Sequence, residues 1–157
     1  MAVVDLRDYP SLRSGQLPLT RRPARLSAMP VQVPVSVGEL LDKLTILAIK
    51  LQRIDDAAKR ANIAREQEAL EIVVAAAGLR AAVGVAELEA ELRRVNEQLW
   101  EIEDSIREHE RQQRFDAAFI ALARAVYRTN DQRADLKRRI NALVGSELVE
   151  EKSYAAY

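Results

Sequence analysis

Six residues of this chain have the types and the helical company needed to hold a small anion: Lys43, Lys50, Arg107, Tyr127, Asn130 and Arg133. Lys43 and Lys50, with Asp42, stand in a stretch so apolar that a helix built from it must be mostly buried. A buried charge without a partner costs several kcal/mol, so these groups need either a ligand or one another. Further along, Thr129, Asn130 and Arg133 interrupt an apolar seam between Val126 and Leu136, with Tyr127 and Lys137 alongside. Asn96, Trp100, Glu103 and Arg107 form a comparable stripe. One reading is a polar pocket lined by Lys43, Lys50, Arg107 and Arg133 that takes a small anion or a sugar nucleotide. The other is a network of salt bridges and hydrogen bonds that sets helix register, a device long bundles need. The second demands less of the sequence.

A second pattern concerns carboxylates. Glu68 and Glu71, and again Glu101 and Asp104, are three apart, so each pair shares a helix face. Clustered oxygens suit a hard cation such as magnesium. The pairs are similar to those of all-helical nucleotide pyrophosphohydrolases, which gather magnesium between facing helices. Two departures weaken the likeness. Gln67 stands where a further Glu would precede Glu68. With Leu99, Ile102 and Ile106 inward, Asp104 points outward, and Glu68 lies off the face of Ile63, Leu70 and Val74. Acid pairs at this spacing read as a solvated surface, and neither a metal nor a cofactor is expected.

Other catalytic grammar is missing. His109, the one histidine, lies between Glu108 and Glu110, and there is no Glu-x-x-His pair for a di-iron bundle. No Gly-x-Ser-x-Gly elbow or phosphate loop occurs. With no cysteine, thiolate chemistry and disulfides are excluded, as suits a cytoplasmic protein.

The elements that must position these residues are helices. All five prolines lie in the first 34 residues, and proline inside a helix costs roughly 3 kcal/mol. Residues 1–30 read as an irregular tail, with Met29 as an alternative start, and residues 31–157 as one helical domain. Residues 31–35 alternate and predict a short extended segment, an edge strand at most. Ser36 and Glu39 then have capping-box spacing, each side chain expected to reach the other's amide. The first helix carries Leu40, Leu44, Leu47, Leu51 and Ile54, widened by Leu41, Ile46 and Ile49.

Asp55 and Asp56 predict a break and a second helix from 57–60 to Gly78, with Ile63, Leu70, Val73, Val74 and Ala77 inward. A loop with Gly78 and Gly84 leads to a third helix of about 25 residues. Its seam of Leu88, Leu92, Val95, Leu99, Ile102 and Ile106 has heptad spacing. Asp116 is the expected cap of a fourth, carrying Phe119, Leu122, Val126, Leu136, Ile140 and Leu143 and closed by Gly145. No glycine marks the third-to-fourth boundary, which leaves a kink or a turn open. The fold class expected is all-α: an antiparallel four-helix bundle or paired long helical hairpins.

Charge narrows the partners. Lys+Arg and Asp+Glu balance at 24 each, and residues 1–29 carry five Arg against Asp5 and Asp8. No concentrated basic face marks a nucleic-acid binder, and no run approaches the roughly 20 apolar residues of a membrane span.

Three segments carry a family resemblance. They are Val33-Pro-Val-Ser-Val-Gly-Glu-Leu-Leu-Asp-Lys-Leu-Thr-Ile-Leu, Val95-Asn-Glu-Gln-Leu-Trp-Glu-Ile-Glu-Asp, and Val126-Tyr-Arg-Thr-Asn-Asp-Gln-Arg-Ala-Asp-Leu-Lys, with Leu148-Val-Glu-Glu-Lys-Ser-Tyr at the close. Together they resemble a small bacterial all-helical protein family of unknown function over residues 31–157. The resemblance implies a helical protein without an established activity. Relatives near cell-surface polysaccharide genes would imply an accessory to polysaccharide biosynthesis. Ala48 departs from the relatives' acidic residue. The function expected from seam length without catalytic grammar is a non-catalytic interaction or assembly module, engaging a protein partner or a second copy. The alternatives are a small-anion or sugar-nucleotide binding protein and the magnesium-dependent pyrophosphohydrolase.

Overall fold

A computed structural model of the chain describes residues 32–151 and 153; the expected tail at 1–30 lies outside them. Four helices follow one another: α1 (Val37–Arg53), α2 (Ala57–Ala76), α3 (Val85–Arg111) and α4 (Ala117–Val144). A single 3₁₀ turn, Leu79–Ala81, joins α2 to α3. Among the described residues there is no strand, and residues 32–36 run irregularly into α1.

Three of the four helices start where a side chain satisfies their first amides; α3 starts at Gly84 without a side-chain cap. The Ser36 hydroxyl accepts from the Glu39 amide at 3.2 Å. Asp56 accepts from the Lys59 amide at 2.8 Å, and Asp116 from those of Ala118 and Phe119. The reciprocal half of the expected capping box does not form, because the Glu39 carboxylate turns to Lys137 of α4 instead. α2 stops at Gly78, whose φ of +61° few other residues adopt without strain. The α3–α4 boundary is a true turn. Gln113 supplies its left-handed residue at φ +53°, and so no glycine announced it.

The chain runs up, down, up, down. Lys43 of α1 pairs with Glu66 of α2, Arg53 of α1 with Glu101 of α3, and Arg139 of α4 with Glu91 of α3. α1 packs against all three other helices, whereas α2 packs chiefly on α1 and the 3₁₀ turn. That explains the expectation the structure corrects. Only Val74 of α2 is buried, while Val73 and Ala77, expected inward, face solvent because α2 has a neighbour on one side alone. The core gathers Leu41 and Leu44 of α1, Val74, Val85, Leu88 and Leu92 of α3, and Leu136 and Ile140 of α4.

This core does not extend along the whole α3–α4 hairpin. α1 ends at Arg53, whose guanidinium sits on Glu101, so ten further residues of α3 continue past it, about 15 Å. Leu99 is the last buried residue of α3 and Thr129 the first of α4; nothing between 100 and 128 is buried. The distal hairpin is an arm of two helices.

Candidate functional site

The polar centre of the bundle is built around Asp42, which is only 1% exposed. It sits on the face of α1 between α3 and α4, one position after Leu41 and two before Leu44, so α1 burial forces it inward. Arg133 of α4 donates from Nε to Asp42 Oδ1 at 2.9 Å and from its second nitrogen to Oδ2. Asn96 of α3 donates from Nδ2 to Asp42 Oδ1 and to Thr45 Oγ1, both at 2.8 Å. The Thr45 hydroxyl in turn donates to the Asp42 carbonyl at 2.7 Å. Hydrogen bonding to Asp42 holds the Arg133 guanidinium above its already high pKa, outweighing burial, so it stays cationic.

A second polar cluster lies one turn toward the start of α1. Lys137 is buried, and its ammonium meets Glu39 at 2.6 Å and also Glu150 beyond α4. Burial opposes its charge, yet the hydrogen bonds it donates to Glu150 and Glu39 raise its pKa overall. Asn141 Oδ1 accepts the Gly38 amide at 2.7 Å. Here the two backbones nearly touch: a Cβ on Gly38 would lie 2.5 Å from the Lys137 carbonyl oxygen.

The six residues expected to line an anion pocket are dispersed. Arg133 holds Asp42. Lys43 is half exposed and pairs with Glu66 at 2.7 Å. Lys50 is half-buried and forms no ion pair with a described residue. Arg107 stands on the arm, bound to Glu103 at 2.9 Å and Asp104 at 3.4 Å on its own helix. Asn130 donates to the Val126 carbonyl at 3.0 Å. Tyr127 is exposed, and the Arg124 Nε, 3.4 Å from its hydroxyl, draws its pKa down.

The four candidate metal ligands are also apart. Glu68 is exposed, Glu71 holds Arg80, Glu101 holds Arg53, and Asp104 meets Arg107. Among the described residues no three acidic or histidine side chains are set to hold a metal. The cause is architectural: α2 rests on α1 instead of running along α3, so the two pairs never face each other. Arg80 does span the gap near the turn, binding Glu71 at 2.5 Å and Glu89 at 2.7 Å, and the hydrogen bonds it donates to Glu89 and then Glu71 raise its pKa.

Cavities follow the same logic. A groove of about 910 Å³ runs between α3 and α4 on the side away from Asp42. Its charged lining is Glu91, Asp131 and Asp135 against Arg94, Arg128 and Arg139, a balanced set with no preference for an anion. A smaller cleft of about 340 Å³ beside Ala48 is bordered by the Arg80 cluster. Every buried side-chain nitrogen and oxygen among the described residues has a hydrogen-bond partner.

A match to the model of a family of unknown function, DUF6165, covers residues 31–157. The chain belongs to that family. No curated protein and no solved structure matches it. The DUF6165 match takes in all four helices and both polar clusters, so the network and the arm are parts of one family unit. Sequence reasoning named Asp42, Asn96 and Arg133 of the central network but not their pairing. It missed Asn141 and Glu150; the signal for Asn141 was its place beside Ile140 within the α4 seam. No helix among the described residues is long and apolar enough to cross a membrane.

Proposed function

We propose that this DUF6165 chain is a non-catalytic helical interaction module whose contact surface is the distal α3–α4 arm. What supports this reading is a contrast between its two ends. At the bundle end, the groups with chemical potential bind one another. Asp42, Arg133, Asn96 and Thr45 bond to one another, and no buried side-chain nitrogen or oxygen among the described residues is left without a partner.

At the other end the apolar seam runs out of cover. Ile102, Ile106, Phe119, Leu122 and Val126 are only half-buried, and Phe115 and Ile120 are 53% and 56% exposed. Two exposed large apolar side chains beside a long half-covered seam give another chain a surface to sit on. The tip is nonetheless ordered by its own contacts, Phe115 meeting Phe119 edge-on with centroids 5.2 Å apart.

The test compares the full chain with its Ile120→Glu variant in light scattering and in pull-downs. The reading expects self-association or a specific partner in the parent and its loss in the variant. A strict monomer without a partner, stabilised instead by phosphorylated metabolites in a thermal-shift screen, would replace it with the anion-binding alternative.

A further inference from the structure

We propose that the arm is covered by the arm of a second copy, α3 of each lying against α4 of the other. This rests on the reading of the arm as a contact surface and names its occupant.

The argument begins with charge. Residues 101–111 of α3 carry Glu101, Glu103, Asp104, Glu108 and Glu110 against Arg107 and Arg111. Residues 114–128, the turn and first half of α4, carry Arg114, Arg124 and Arg128 against Asp116 alone. The arm therefore has one acidic helix and one basic helix, joined by a short turn. Most of these groups are exposed, and although Arg107 and Arg111 pair with Glu103, Asp104 and Glu108 on their own helix, an excess of acid remains on α3 and of base on α4.

Symmetry then limits the arrangements. A two-fold pair of hairpins can bring like helices together, α3 on α3 and α4 on α4, or unlike helices, α3 on α4 twice over. Like pairing sets a stretch of five acids and two arginines, net −3, against its copy, and a stretch of three arginines and one aspartate, net +2, against its copy. Unlike pairing sets acid against base at both contacts, and opposite charge across an interface selects the partner and its register. The apolar layer between them is already in place: Ile102 and Ile106 from α3, with Phe119, Ile120 and Leu122 from α4. Four such helices close a seam that two leave open.

A helical cover also fits what happens nearer the bundle. There α1 lies on the same hairpin and buries Leu92 and Leu99 of α3 with Leu136 and Ile140 of α4. Past Arg53 a second hairpin supplies what α1 no longer can.

The experiment uses the full chain in sedimentation velocity, with helicity checked by circular dichroism. The parent is expected to dimerise, and Ile120→Glu to weaken the dimer about tenfold or more while staying helical. Two charge variants decide the pairing. Asp104→Arg with Glu108→Arg gives an arm basic on both helices, and Arg124→Glu with Arg128→Glu gives one acidic on both. Each alone is expected to be monomeric, and an equimolar mixture to form a one-to-one heterodimer. A parent that stays monomeric at all concentrations overturns the inference, as does a dimer indifferent to all three variants or a mixture that does not pair. A monomeric parent that loses a different protein partner on Ile120→Glu overturns only the second copy and keeps the contact surface. A monomeric parent with no partner at all removes both.

Discussion

Asp42 and Arg133, 91 residues apart in the chain, meet through two hydrogen bonds across the α1–α4 contact. The two partners are not equivalent. Asp42 is sealed in, while the Arg133 side chain keeps 26% of its exposure. Arg133→Met therefore strands a buried carboxylate and should cost about 3 kcal/mol in urea unfolding at neutral pH. Asp42→Asn leaves a cation that can turn to water and should cost clearly less. Equal losses, or an Arg133→Met loss near about 0.5 kcal/mol, would mean the pair carries no stability.

Gly38→Ala tests how closely α1 and α4 approach. The added methyl would meet backbone, which cannot rotate aside as a side chain can. The helices must separate, weakening the Asn141 bond to the Gly38 amide, and unfolding free energy should fall by about 1–3 kcal/mol. An unchanged thermal midpoint would contradict the close contact.

Lys137 gives the fold an alkaline limit. Its pKa in the folded chain lies above the ordinary 10.5 of the unfolded one, because Glu150 and Glu39 favour the ammonium more than burial disfavours it. The contribution is complete below about pH 10.5 and is lost as pH rises through the folded value. Urea midpoints measured across that range should drop in the parent. They should drop less in Glu150→Gln, where the shift is smaller. Parallel curves would remove Lys137 as the cause.

Gln113→Gly should stabilise the arm turn. Gln113 holds φ +53°, a region costly for a residue with a Cβ, and its side-chain bond to the Glu110 carbonyl at 2.9 Å is exposed and weak. The gain expected is about 0.5 kcal/mol, read as a higher thermal midpoint. A lower midpoint would mean the side-chain bond outweighs the backbone strain.

How much of this was legible varies with the reach of the interaction. Ser36, Asp56 and Asp116 cap the helices they were expected to cap, because a cap is settled within three residues. The seam of α3 was legible for the same reason, as periodicity is local. The path of α2 was not: nothing in its own residues says that it rests chiefly on α1, so Val73 and Ala77 were turned inward on paper. Glu39 was read as a capping partner because its competitor, Lys137, lies 98 residues away. The lysines of α1 were expected to be buried with Asp42; Lys43, next to it in sequence, falls on the opposite edge of the helix and meets Glu66. The arm's open seam was invisible for a further reason, since its length depends on where α1 stops relative to α3.

The seal between Gly38 and Asn141 spans 103 residues and bears on how the chain is made. At roughly 5–20 residues per second, a ribosome needs about 5–20 s after producing α1 to deliver the residues that close over it. During that interval α1 can coil and lean on α2, but its acid has no arginine. Asn96 of α3 reaches that carboxylate first, yet its cation arrives only with α4, which makes the fourth helix the one that completes the polar centre.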